Sequence, residues 1–593
     1  MMKLRTSMIG ALSLAVLLAS TRPDSPVADA AMRGDADAVR ALIREGADVN
    51  AAQGDGMTAL HWAAEKGDVE LAQLLVTAGA SLTTTTRHGA YTPLHVAARA
   101  GRGAAVQALL DAGANPNGVT ATGATALHQA AGAGSVEAVE ALIAKGATVD
   151  AKESAWEQTP LLFAASYNRP DVIKALLAHG ANPNVFTKVH SVSDQRTIDQ
   201  AGAAARRQVL EAFKVHDGND PNWRPSPAEV QAAVKAGQEV QRNGAAPAAG
   251  GDAAPDLGGG EGGGAAADSQ GGLTPLLHAA RQGNIEAALA LIDGGADINL
   301  PKFGDAYTPI NMAMINGNYD LGLLLLQRSA DVNKAAADGV TPLFAVISNY
   351  WGAKTRYPQP MNHVYQKASY LETMETLLKG GADPNARLKK DQWYLVYTFG
   401  GLGVDMTGAT PFWRAAHAVD VPAMRLLVQH GADPTLATIA SAGGGRRGGR
   451  AGAAGPTADP SGLPPVVVGG PGVYPIHAAA GVAYGNGFTG NFHLHAPNGW
   501  MPAMKYLVEE LGADVNVRDA GGYTAMHHAA ARGDNEMINY LVSKGGDVMV
   551  VSRAGQTTVD MANGPGQRIS PIPATIALLE SMGAKNNHKC VSC

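Results

Sequence analysis

The chain has 593 residues, a net charge of −6 at pH 7 and 46% hydrophobic residues. Its two cysteines, Cys590 and Cys593, both lie at the C-terminal end, which excludes a disulfide-stapled scaffold. The mild acidity gives no electrostatic case for binding nucleic acid or an anionic membrane, and the apolar fraction argues against a chain that is disordered throughout.

The first element in chain order is a predicted signal peptide at residues 1–20. Lys3 and Arg5 form its charged segment, residues 8–18 form a short apolar run, and small or modest residues precede a cleavage site after Ala19. The alternative is an uncleaved membrane anchor. We expect a cleaved, exported bacterial protein without a membrane span, located in the periplasm or secreted.

A four-residue motif then recurs with a period of 33 or 34 residues. It begins at Thr58 as Thr-Ala-Leu-His and is repeated at Thr92, Thr125 and Thr159. The series resumes further along the chain at Thr274, Thr308, Thr341, Thr410, Tyr474, Thr524 and Thr557. Each unit also ends alike, as in Gly-Ala-Asp-Val-Asn at residues 46–50. With a first unit that lacks the motif, the repeats number about twelve.

Motif, phase and period together resemble the ankyrin repeat family. The resemblance implies an all-α solenoid of helix–turn–helix units with β-turn or hairpin tips. The residues fit this fold, because Thr92 can cap a helix, Pro93 can take its first position, and Gly113 can adopt a left-handed backbone after the second helix. The repeats are expected at residues 24–186, 273–436 and 472–586.

Several segments interrupt the period. They are residues 187–272, 350–368, 386–406, 437–471 and a further insertion at 484–500. The first is predicted to be a linker with one helix at 226–242 and a flexible Gly/Ala-rich part at 244–264. The third is predicted to form a β-hairpin finger, and the fourth is a Gly/Arg/Pro-rich linker.

The resemblance implies a protein partner, bound through tips and first helices, and a structural hydrogen-bonding role for the motif histidine. Tyr91, Tyr307 and Tyr523 precede the motif threonine and are candidate partner contacts, since tyrosine gives a large rigid surface. The alternative is that these tyrosines pack between neighbouring tips. Aromatic residues of the predicted finger are further candidates: Trp393, Tyr394 and Tyr397.

No arrangement of residues in the sequence predicts catalysis. His477, His493 and His495 lack the accompanying cysteine or carboxylate spacing of a metal site, so no metal is predicted. The Arg-Arg-Gly-Gly-Arg run at 446–450 is interpreted as a solvated linker, not an RNA-binding segment. The favoured function is therefore a non-enzymatic, exported scaffold that binds an unidentified protein.

The C-terminal tail, residues 587–593, ends in Cys-Val-Ser-Cys. This is one residue short of C-x-x-C-H, the attachment motif for haem c. If a histidine follows Cys593 in the natural chain, Cys590 and Cys593 would attach haem, and the repeats would be the recognition arm of a cytochrome-like electron-transfer protein. A redox-active or metal-binding pair and an accidental tail are the other interpretations; without that histidine no cofactor is expected.

Overall fold

The structure is a computed structural model, and it describes residues 25–216, 218, 223–243, 269–352, 362–390, 404–440, 459–483, 494–564 and 570–590. The predicted signal peptide and the Gly/Ala-rich part at 244–264 lie outside these residues. The chain divides into two compact bodies. The N-terminal body comprises residues up to 188 together with 273–297, and the C-terminal body comprises 189–272 together with 298–593.

Helices dominate both bodies. In chain order they are α1 Pro26–Arg33, α2 Ala36–Arg44, α3 Ala59–Lys66, α4 Val69–Thr77, α5 Pro93–Arg99, α6 Gly103–Asp111, α7 Ala126–Ala133, α8 Val136–Ala144, α9 Pro160–Ser166, α10 Pro170–Ala178, α11 Val192–His216, α12 Pro227–Asn243, α13 Pro275–Gln282, α14 Ile285–Asp293, α15 Pro309–Ile315, α16 Tyr319–Gln327, α17 Pro342–Tyr350, α18 Tyr370–Lys379, α19 Pro411–His417, α20 Val421–Gln429, α21 Pro475–Ala479, α22 Trp500–Lys505, α23 Ala525–Arg532, α24 Asn535–Ser543, α25 Thr558–Ala562 and α26 Pro573–Ser581. A π-helical turn, Tyr506–Glu510, extends α22, and a 3-10 turn covers Asn362–Tyr365.

Apart from α11 and α12, the helices of the described residues form twelve consecutive pairs, six in each body. Within a body the first helix of one pair packs on the first helix of the next, as α3 does on α5, and the second helices form a parallel layer. Neither helix of a pair can cover its own apolar face, so stability comes from stacking neighbours. The predicted all-α ankyrin-repeat solenoid is confirmed.

In the units that carry the motif, its residues start the first helix. Thr92 has an extended backbone, and its side-chain oxygen accepts a hydrogen bond from the His95 N–H. Pro93 occupies the first helical position, where its missing N–H costs nothing. Behind this cap, Leu94, Ala97 and Ala98 are buried, and the small alanines allow neighbouring helices to approach closely.

The residue two positions after each second helix has a left-handed backbone conformation. Gly113 has φ 96°, which a residue without Cβ adopts at little cost. The one unit with serine at this place keeps the same backbone, since Ser329 has φ 68°. The turn geometry is therefore set by the repeat and imposed on the departing residue.

A ladder of asparagines joins neighbouring units after these turns. The Asn50 side chain donates to the carbonyl of Gly79 (3.1 Å) and accepts from the Ser81 N–H (2.7 Å). The same pair of bonds recurs from Asn117, Asn184, Asn333, Asn385 and Asn516. The recurring asparagine of the unit ending is thus a cross-unit link, a role that the sequence reading did not assign.

The interruption at 187–272 contains a helical hairpin, not only a linker with one helix. Two short antiparallel strands, β1 Val189–Ser191 and β2 Ser269–Gly271, close its base. α11 packs along α12, and the two helices approach so closely that a Cβ on Gly237 would lie 2.9 Å from the Gly202 carbonyl oxygen. α12 begins as expected, with Ser226 and Glu229 exchanging backbone-to-side-chain hydrogen bonds.

The other interruptions are anchored at their bases. Trp351 Nε1 and the Tyr370 hydroxyl both donate to the buried Asp420 carboxylate, at 2.8 and 2.9 Å. An isolated antiparallel bridge pairs Ile439 with Pro471 at the base of the 437–471 interruption. Most of the predicted finger lies outside the described residues.

Candidate partner-binding surface

The turns that precede the motif threonines, here called the tips, form a continuous edge within each body. One backbone hydrogen bond joins most neighbouring tips: the Arg87 N–H donates to the Asp55 carbonyl at 2.8 Å, and Ser154 donates to Thr122 at 2.8 Å. The same bond joins Arg553 to Gly521 in the C-terminal body. These bonds fix the spacing of the tips, so side chains on the tips hold constant positions along the edge.

Motif histidines fasten the first helices to this edge. His61 Nε2 lies 3.0 Å from the Tyr91 carbonyl oxygen, and its Nδ1 lies 2.8 Å from Thr58 Oγ1. A carbonyl only accepts, so Nε2 carries the proton and Nδ1 accepts from Thr58. The equivalent bridges run from His95, His128 and His477 to Gly118, Gln158 and Val517. This is the structural role that the family resemblance implied.

Burial keeps these imidazoles neutral. It lowers the pKa of His61, His95 and His128 below the ordinary value, against weaker opposing effects of the carbonyl acceptors. In the C-terminal body it lowers the pKa of His477 to about 4 and that of His527 to about 3. Buried histidines that stay neutral in this way are unavailable for acid–base chemistry near neutral pH.

Two of the three tip tyrosines are buried between neighbouring tips. Tyr307 is 1% exposed and its hydroxyl donates to Asp338 Oδ2 at 2.6 Å. Tyr523 is 9% exposed and donates to Gln556 Oε1 at 2.7 Å. Both acceptors belong to the following tip. This burial corrects the expectation of partner contacts at these two positions, because a side chain that joins two tips presents no surface to a partner.

Tyr91 is different, since it is only half-buried. The exposed Arg99 guanidinium lies over the Tyr91 ring, 4.9 Å from its centroid. The Tyr91 and His95 rings meet in a T-shaped arrangement. Arginine stacked on tyrosine is a combination enriched at protein interfaces. The prediction of a partner contact therefore stays with Tyr91, whereas Trp393, Tyr394 and Tyr397 lie outside the described residues.

Exposed aromatic side chains also occur where the sequence reading did not place them. Tyr167, at the end of α9, is 60% exposed, and Trp156, on the preceding tip, is 38% exposed. Phe163 lies beside Tyr167, and both rings flank Gly132 of the preceding first helix. We call Phe163 and Tyr167 the aromatic patch.

A sequence signal for the patch was available. Phe163 directly follows the fourth motif position, as Trp62 does in an earlier unit, and both side chains are only half-buried.

The histidines considered as a metal site and the cysteines of the haem hypothesis can be placed only in part. The described stretches contain no group of three or more His, Cys, Asp or Glu side chains that could hold a metal ion. His493 and Cys593 lie outside the described residues. Cys590 follows the last helix and is disulfide-bonded. A thiol in a disulfide cannot form the thioether bond of haem c, so the haem hypothesis stays a prediction that requires reduced cysteines.

In the described part of the chain, no helix combines the length and apolar character that crossing a membrane requires. Stacked helix pairs, tips in register and exposed aromatic residues together define a repeat scaffold whose surface can bind other macromolecules. A family model described as "Ankyrin repeats (3 copies)" matches residues 27–120, 113–187 and 257–336, and one described as "Ankyrin repeats (many copies)" matches 492–542. These matches support the ankyrin repeat family for this chain.

Curated relatives share the same repeats. Over 161 residues the chain is 42% identical to Ankyrin repeat and SOCS box protein 3 of Homo sapiens, covering 27% of this chain and 31% of that protein. It is 38% identical over 102 residues to Ankyrin repeat and SOCS box protein 16 of Homo sapiens, covering 17% and 22%. It is 37% identical over 71 residues to Protein phosphatase 1 regulatory subunit 12A of Mus musculus, covering 12% and 7%. The chain thus spans less than a third of the length of each relative.

Proposed function

We propose that the protein is a non-enzymatic, exported scaffold that binds a protein partner through the first helices and tips of its N-terminal body. The observation that carries the proposal is the aromatic patch, in which Tyr167 is 60% exposed beside Phe163. An aromatic side chain at this exposure gains apolar contact area when a partner covers it, and its two rotatable bonds limit the entropy lost.

Other exposed aromatic and basic groups lie on the same body. Trp156 lies on the tip before α9, and the Arg99–Tyr91 stack lies on an earlier unit of the same body. Aromatic residues and arginine are enriched at protein interfaces, so the composition of this body suits partner binding. The name of one relative describes a regulatory subunit of a protein phosphatase. It supports a binding role, not a catalytic one, for the shared repeats.

The test is capture of partners by the immobilised full chain from an extract of the source cells. We expect Tyr167→Ser to reduce the captured amount at least fivefold, corresponding to about 1 kcal/mol or more for an interface anchor. The matched control is Val136→Ser, because Val136 is 36% exposed at the start of α8, a second helix outside the proposed surface. Equal capture by the Tyr167→Ser chain and the unchanged chain would overturn the proposal.

Export is the second component of the proposal, and it rests on Lys3, Arg5 and the apolar run at 8–18. When the full chain is produced in a bacterium, we expect mass spectrometry to find a mature N-terminus at Ser20 in the periplasmic or medium fraction. A chain that retains residues 1–19 in the cytoplasm would contradict export. That result would leave the binding role untouched.

A further inference from the structure

A segment of the 437–471 interruption lies across two tips of the C-terminal body. We call residues 459–464 the strap. Asp459 forms an ion pair with Arg553, and the Pro464 carbonyl accepts a hydrogen bond from the same guanidinium at 2.5 Å. Arg553 belongs to the tip before Thr557, so one tip residue holds both ends of the strap.

Arg553 is oriented independently of the strap. Its Nε donates to the Ala520 carbonyl at 3.1 Å, and its backbone N–H donates to the Gly521 carbonyl at 3.0 Å. These two bonds direct the outer nitrogens, Nη1 and Nη2, towards the strap. A guanidinium fixed in this way offers two donors in a fork, a geometry that suits a carboxylate and a carbonyl.

Between the polar ends, two apolar side chains of the strap lie against glycines of the tips. A Cβ on Gly522 would lie 3.3 Å from Leu463 Cδ1, and a Cβ on Gly555 would lie 3.4 Å from Pro460 Cγ. Because Gly522 and Gly555 carry no side chains, Leu463 and Pro460 can lie directly against the two tips. The surface thus contacts a carboxylate, a proline, a leucine and a carbonyl of the strap in that order.

The strap itself is lightly held. It has no helix or strand, and after it Val467 and Val468 are 73% and 64% exposed. Within it, the Asp459 carboxylate also accepts from the Ser461 N–H at 2.9 Å. Its following residues return to the fold where Pro471 pairs with Ile439. A segment with so few buried contacts opens at a low free-energy cost.

We propose that the surface formed by Arg553, Gly522 and Gly555 is a peptide-binding site, which the strap occupies in the absence of a partner. Its external ligand is an extended segment of another protein with an acidic residue followed by proline and leucine. The inference rests on the proposed scaffold function and names the partner chemistry for a second surface, separate from the aromatic patch.

The tether sets the affinity of the unchanged chain. A segment joined to the surface by a short connection competes at an effective concentration on the order of millimolar. A free peptide of the same sequence therefore binds the unchanged chain weakly. Weakening the strap by Asp459→Ala and Leu463→Ala removes the competitor and leaves the surface intact.

The experiment measures fluorescence anisotropy of a labelled peptide with the sequence of residues 458–468, titrated with full-length chains. We expect the Asp459→Ala, Leu463→Ala chain to bind the peptide at least tenfold more tightly than the unchanged chain. Adding Arg553→Ala should remove this binding. The matched control is Arg87→Ala, because Arg87 occupies the equivalent tip position in the N-terminal body and makes the same backbone bond.

Thermal unfolding of each variant shows whether the C-terminal repeats remain folded. Equal binding by the unchanged and strap-weakened chains, no binding by either, or full binding after Arg553→Ala would each overturn the proposal. Tyr167→Ser should leave peptide binding unchanged. If no chain binds the peptide although Tyr167→Ser weakens partner capture, this inference alone is refuted. If the peptide binds as expected although Tyr167→Ser leaves partner capture unchanged, the proposed function alone is refuted.

Discussion

The motif histidine illustrates how one residue can serve two neighbouring units. Its Nδ1 closes the cap of its own helix, and its Nε2 donates to a carbonyl of the next tip, as His61 does with Thr58 and Tyr91. Both bonds require the neutral ring in one tautomer. Protonation would place a donor against the Thr58 N–H, and burial would add the cost of a desolvated charge.

Stability should consequently depend on pH through these histidines. The pKa of His527 is about 3 in the folded chain, against about 6.5 when unfolded. The unfolded chain therefore binds the proton first as pH falls. The stabilisation is complete above pH 6.5 and decreases through the range between the two pKa values. Between pH 7.5 and 5 we expect a loss of about 2 kcal/mol from this residue, seen as a lower urea midpoint.

The variant that isolates this effect is His527→Gln, because glutamine can complete the capping box without titrating. Its urea midpoint should change less between the two pH values than that of the unchanged chain. His88→Gln is the control, since His88 is exposed on a tip. Identical pH dependence in the His527→Gln chain would show that the buried ring does not supply the effect.

The tip tyrosines show where residue-level prediction from the sequence stops. Their equivalent phase predicts equivalent positions, but the following tip decides their exposure. Tyr307 meets the acceptor Asp338 there, whereas the hydroxyl of Thr122 on the tip after Tyr91 is engaged with Thr120. Such pairing depends on which side chains meet in space. The sequence alone is compatible with both outcomes, a partner contact and packing between tips.

Secondary-structure elements were predictable wherever the period held. Thr92, Pro93 and Gly113 are local signals, and most helix pairs repeat the threonine and the glycine with the same spacing. The helix α11 carries no such period, and its sequence was interpreted as linker. Its apolar residues, among them Val209 and Leu210, are only half-buried because α12 alone covers them. The glycine contact between Gly202 and Gly237 needed both helices in place to be visible.

The candidate binding surface was predicted less well, for a physical reason. Its assignment depends on the exposed side of each helix, and periodicity identifies chiefly the buried side. Tyr167 lies just beyond the last helical residue of α9, outside the motif. The strap and Arg553 are 94 residues apart, and no local pattern connects them.

At the scale of the whole chain, the asparagine ladder keeps the same hydrogen bonds whether or not an interruption lies between the linked units. Asn516 links to Gly545 across 29 residues, and Asn333 makes the same bond to Gly381 across 48. The inserted segments leave the stack of helix pairs and return to it between the linked positions. Successive pairs therefore stack alike whether or not an insertion separates them.

This arrangement predicts equal effects of two substitutions. Asn333→Ala and Asn516→Ala each remove one donated and one accepted bond of 2.8 to 2.9 Å at exposed sites. Each should lower the unfolding free energy of the C-terminal body by about 1–2 kcal/mol, measured by urea denaturation. Gln429→Ala provides a comparison, because Gln429 is exposed at the end of α20, outside the ladder. A much larger effect at Asn333 would show that the insertion makes its link special.

The closed base of the helical hairpin has a practical consequence. Val189 pairs with Gly271, and the Thr187 N–H donates to the Leu273 carbonyl at 3.0 Å, so the two ends of this long excursion meet side by side. An inserted element whose two ends are adjacent can be replaced by another domain with adjacent ends. A fluorescent protein or an enzyme with adjacent termini could replace residues 192–268 without changing the distance that the host must span. The paired ends thus offer a site for inserting a reporter between the fifth and sixth helix pairs.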